Sequence, residues 1–142
     1  VPDIEYYLKS SDLSKDLYIG YLTHLLLDKY YLNDYLGVLY PGRNVFLDNK
    51  IYSDYDYLNY LLVCRFNLDV EYLEKVLREF NCNILEEKLE YNIECLKQEK
   101  TGNLIYLNFD SFVQFLLDVS EIISKELINY ASKYSKLCLR IR

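Results

Sequence analysis

The chain has 142 residues, 51% of them hydrophobic and 27% charged, which is enough apolar material for a core and excludes a disordered chain. Its formal net charge of -6 leaves no basic stripe of the kind that phosphate-backbone binding needs, so no nucleic-acid partner is expected. No run approaches the roughly 18–20 apolar residues of a membrane span, and no signal-peptide pattern opens the chain. With cysteines only at 64, 82, 95 and 138 and no CxxC pair, free thiols in a reducing compartment are expected, and with them a cytoplasmic location. The chain holds no methionine, not even an initiator, so a segment upstream of Val1 is expected to be missing from it.

In chain order, Pro2, Asp3 and Glu5 suit the start of a short helix over about Asp3 to Lys9. Ser10 to Asp12 interrupt it, and Ser11 or Asp12 can cap a long second helix that runs to Tyr35 or Leu36 and stops at Gly37. Gly20, one turn before His24, would let another backbone or a ligand come close. Pro41-Gly42 marks a loop. Ser53 or Asp54 can cap a third helix reaching Cys64 or Phe66, with Leu58, Leu61, Leu62 and Phe66 at helical spacing.

Asp69 can cap a fourth helix, Val70 to Phe80, carrying a Glu71–Lys75 pair four residues apart, and Asn81-Cys82-Asn83 breaks it. A fifth helix, Ile84 to about Glu99, presents Leu85, Leu89, Ile93 and Leu96 on one side and a solvated charged face on the other. Leu104 to Leu107 reads as extended and could pair with Val45 to Leu47 as a two-stranded ribbon. A last helix, capped by Asn108 or Asp110, carries a long stripe from Phe112 to Tyr130, and Lys133 to Arg142 should fray. No repeat or linker interrupts the chain. The expectation is one all-α domain over residues 1–142, a bundle of about six helices around a central apolar one.

The second helix sets the functional expectation. It is apolar on nearly every side, with Leu17, Tyr18, Ile19, Leu22, Leu25, Leu26 and Leu27, and a helix of that kind is normally central. The only histidine, His24, stands four residues before Asp28, so both side chains share a face. A buried imidazole and carboxylate must be paired, hydrogen-bonded or bound to a cation. The pair is half of a site for a divalent metal such as zinc. The plainer reading is a structural pair, with His24 bonded to Asp28 or to a tyrosine.

The stretch GYLTHLLLDKYY resembles the helix of the bacterial zinc-dependent phospholipase C family, which reads roughly Gly-Tyr-Leu-x-His-Leu-x-x-Asp; Gly20, Tyr21, Leu22, His24, Leu25 and Asp28 match. The likeness covers about 20 residues and extends in particular to shorter relatives of that family. It implies an all-α fold and a multi-zinc site whose metal-bound hydroxide attacks a phosphodiester, with His24 and Asp28 as metal ligands. The family's next ligand is a histidine six residues after the aspartate, and here that position is Asp34. The later His-x-x-x-Glu pair and the N-terminal ligands have no counterpart. The resemblance therefore implies at most one metal, held by His24, Asp28 and Asp34, with Asp54 and Asp56 as conceivable partners.

Tyrosine is the other conspicuous residue, with 17 in the chain and several beside this motif. Tyr21, Tyr31 and Tyr35 fall near the His24 face by helical angle, and their hydroxyls could bind a phosphodiester or lipid headgroup; buried tyrosines more often serve the core with a polar tip. Two readings remain: a metal-dependent phosphodiester hydrolase in degenerate form, or a non-catalytic helical binding module, able to form a homodimer, in which His24 and Asp28 are a buried polar pair.

Overall fold

The computed structural model describes residues 1–79 and 86–141, with side chains described over 1–79 and 87–133. It is all-α, 77% helical, and the described residues contain no strand. The helices are α1 (Ile4–Ser10), α2 (Asp16–Tyr30), α3 (Gly37–Leu39), α4 (Lys50–Phe66), α5 (Val70–Glu79), α6 (Glu86–Lys97) and α7 (Phe109–Ile141). A π-helical segment, Tyr31–Leu36, joins α2 to α3, and a 3-10 turn, Val45–Leu47, precedes α4. Sequence reading expected one domain; the chain sorts into two compact units, Val1–Asn44 with Asp110–Arg142, and Val45–Phe109.

In the first unit the core is Ile4 and Leu8 of α1, Leu13 of the turn that follows, Leu22 and Leu26 of α2, and Val119 and Ile123 of α7. Spacings of three and four residues put each set on one helix face, and each fully buried aliphatic side chain stabilises the fold by about 1.5–3 kcal/mol. Asp3 caps α1 by accepting the Tyr6 N–H at 2.9 Å. Among the described residues, α1, Leu13 and α7 supply the buried core beside α2.

Gly37 does not end the helix, as its residue type suggested. Its φ of -63° is helical, and its N–H donates to the Leu32 carbonyl five residues back. That longer loop swings the Leu32 oxygen to within 2.9 Å of where a Cβ on residue 37 would lie. Glycine is thus required by the close approach of the π turn and not by a left-handed cap.

In the second unit, Ile51 and Leu58 of α4 and Leu89 and Ile93 of α6 are buried, with Val45, Tyr106 and Leu107. Asn67 ends α4 in the left-handed conformation, φ 47°, which asparagine tolerates better than most residues. Asp69 caps α5 as expected, accepting the Tyr72 N–H at 3.0 Å. The expected ribbon does not form: residues 45–47 are a 3-10 turn and 104–107 an irregular segment. The Tyr106 hydroxyl still reaches across to Asp48 at 2.6 Å. The expected break at Asn81-Cys82-Asn83, and Leu85, lie outside the described residues. The backbone of the last helix runs to Ile141.

Candidate functional site

The histidine face is on the outside. His24 Nε2 and Asp28 Oδ2 stand 3.4 Å apart, but their side chains are 62% and 43% exposed, so the expected burial of the pair is corrected. The cause lies in packing. Leu22 and Leu26 take the side of α2 that meets α1 and α7, and among the described residues only Tyr7 packs against the next face. That face is a stripe of Leu17, Tyr21, His24 and Asp28, spaced four, three and four. Leu17 is 78% and Tyr21 53% exposed. The Tyr21 ring lies 6.0 Å from the imidazole and 5.3 Å from Tyr7, centre to centre. Space is open where a side chain at Gly20 would project.

Asp34, the third ligand in the sequence reading, is also exposed. Among the described residues no three His, Cys, Asp or Glu side chains stand together as a metal ion would need. His24 and Asp28 give two adjacent donors, where zinc takes three or more from protein.

Tyr31 and Tyr35 diverge from Tyr21. Tyr35 is buried, its ring packed edge-on against Phe112 at 5.5 Å and tilted on Phe115 at 5.2 Å. Its hydroxyl is within 2.7 Å of Ser111 Oγ. Tyr31 stacks on Tyr35 at 5.9 Å. The N-terminal phenylalanines of α7 thus cover this end of the tyrosine stripe and leave Tyr21 and His24 bare. Tyr31 and Tyr35 contribute to the core in this arrangement, with Tyr35's polar tip satisfied on α7.

Asp54, a cap candidate by its sequence position, is the buried carboxylate among the described residues. Asp54 is 1% exposed, in the second turn of α4. Its Oδ2 accepts the N–H groups of Ile105 at 3.0 Å, Tyr106 at 2.6 Å and Leu107 at 3.0 Å, and its Oδ1 accepts Ile105 again at 2.8 Å. Three consecutive amides form an anion cradle, a concavity of backbone donors. The buried carboxylate ties the segment before α7 to α4, which is a structural task. A signal was present in the sequence: Asp54 sits three residues after Ile51 and four before Leu58, on the apolar stripe itself.

Other polar groups are paired too, although Glu126 Oε2 is buried with no hydrogen-bond partner among the described residues. Tyr30 donates to Glu126 Oε1 at 2.7 Å, and burial together with that carboxylate pushes its pKa up from 10.0 to about 12. Glu74 receives Lys97 and Arg78, which hold its carboxyl below the usual range, and Arg78 also reaches Glu90 at 2.6 Å. The expected Glu71–Lys75 pair is not among the ion pairs of α5, which are those of Glu74 and Arg78 with each other and with Lys97 and Glu90 of α6. Tyr60 is held above its usual value by its bond to Cys64, and Tyr91 by its bond to Cys95. Both of these cysteines are free thiols; Cys82 and Cys138 lie outside the described side chains.

No family model matches the chain, and no curated protein or solved structure matches it. No described helix is long and apolar enough to cross a membrane.

Proposed function

We propose that the chain is a non-catalytic helical binding module that associates with a second copy through the bare face of α2. The observation that supports this is the exposed stripe Leu17, Tyr21, His24 and Asp28. Its alternation of four and three residues is the seam spacing by which helices pair side by side. Gly20 leaves room beside the seam for a partner helix to approach closely. A leucine and a tyrosine contribute apolar area at its N-terminal end, and the polar His24 and Asp28 limit the register.

Sedimentation equilibrium on the whole chain tests this. A dimer is expected, and Leu17→Lys with Tyr21→Lys should give a monomer of unchanged helical content. A monomer up to millimolar concentration, or a dimer indifferent to both substitutions, sinks the reading.

A second reading, a metal-dependent phosphodiester hydrolase related to phospholipase C, is favoured by one observation: the two donors of the motif are side by side and open to a substrate headgroup. It requires further ligands from outside the described residues. Elemental analysis of protein purified without added metal tests it. Bound zinc that is lost in His24→Ala supports it; no zinc, and a melting temperature unmoved by added zinc, removes it.

A further inference from the structure

The second unit carries most of the chain's negative charge: between Val45 and Phe109, Asp and Glu number 12 against 7 Lys and Arg. One concavity in that unit is lined wholly by described residues and combines this charge with apolar walls. It lies where the C-terminal ends of α4 and α6 meet the start of α5, with a volume of about 590 Å³. That is within the roughly 300–1,000 Å³ usual for small-ligand sites. Tyr60, Val63, Val70 and Leu96 form its apolar lining, each half-buried.

The charges at its edge are unequal. Glu74 is already neutralised by Lys97 and Arg78. Glu71 is exposed and makes no ion pair among the described residues. The carbonyl ends of α4 and α6 add partial negative charge, against the single amide end of α5. An apolar floor beside the exposed Glu71 carboxylate, with the Lys97 ammonium of the lining held on Glu74, is complementary to one kind of small molecule: a cation carried on an apolar stem.

We infer that the groove between α4, α5 and α6 binds a small organic monocation, an alkyl- or arylammonium, with its stem on Tyr60, Val63, Val70 and Leu96 and its ammonium on Glu71. This is independent of the α2 face, which lies in the other unit. The probe is hexylammonium chloride, titrated into the full chain and followed by amide chemical shifts, with hexan-1-ol as the neutral control. Saturable shifts should be confined to residues around 60–63, 70–71 and 96–98. Hexan-1-ol should bind more weakly, and Glu71→Gln should weaken hexylammonium about fivefold, the weight of one partly desolvated ion pair. Glu79→Gln, at the far end of α5, should leave binding unchanged. The inference is overturned if shifts fail to saturate, if they scatter over surface carboxylates, if the alcohol binds equally well, or if Glu71→Gln has no effect.

Discussion

Replacing Asp54 by alanine removes the acceptor from three adjacent amides at once. Two of these, Tyr106 and Leu107, donate in buried bonds, and Ile105 in a half-buried one. A buried donor left without a partner costs about 1–3 kcal/mol, so Asp54→Ala should lose about 2–6 kcal/mol from the two buried amides alone. Folded domains hold roughly 0.05–0.15 kcal/mol per residue, which for a unit the size of the second one is roughly 3–10 kcal/mol in all. The variant should therefore leave the second unit marginal or unfolded.

Asp54→Asn keeps the shape and one acceptor oxygen but turns an NH₂ toward an N–H that had faced a carboxylate oxygen. Its loss should be smaller, about 1–2 kcal/mol, since a bond to a charged group exceeds a neutral one by about 1–1.5 kcal/mol. Urea unfolding followed by far-UV circular dichroism gives the stabilities, and hydrogen exchange at residues 105–107 gives the local consequence. The expected order is wild type, then Asn, then Ala, with those amides exposed in the alanine variant. A loss under about 1 kcal/mol in Asp54→Ala, with the amides still protected, would falsify the view that this carboxylate anchors the segment.

Four further outcomes are expected. Gly37→Ala should destabilise despite alanine's better helix propensity, because the 2.9 Å approach to a backbone oxygen outweighs the ~1 kcal/mol that alanine gains in an ordinary helix; a rise in melting temperature would contradict it. His24→Ala should change stability by less than about 1 kcal/mol, as befits an exposed pair, whereas a buried pair broken on one side would lose about 3–5 kcal/mol; thermal unfolding separates the two.

Tyr30 holds its proton to a higher pH folded than unfolded, so its contribution is complete below pH 10 and lost as pH rises toward about 12; Tyr30→Phe should unfold less steeply with pH across that window than wild type. Glu74 is displaced in the opposite direction. Its contribution is present above the ordinary carboxyl value of 4.5 and fades as pH falls through its lowered one, so Lys97→Ala should blunt the acid sensitivity of α5 and α6, read by amide exchange between pH 5 and pH 2.

Helix positions were legible in the residues because each is a local property. Asp3 and Asp69 cap helices by reaching amides three residues on, and the stripes that bury Leu22 with Leu26, or Leu89 with Ile93, repeat at the helical period. Those spacings determined the all-α class. They could not decide which side of an apolar helix would be covered. α2 offers apolar residues all round, and only the placement of α1 and α7 against Leu22 and Leu26 leaves His24 and Asp28 in water while Tyr35 is enclosed by Phe112 and Phe115. Asp54 shows the converse. Its place on the stripe of Ile51 and Leu58 implied burial, but the amides that make burial tolerable lie some fifty residues away, and only the folded chain brings them within hydrogen-bond range.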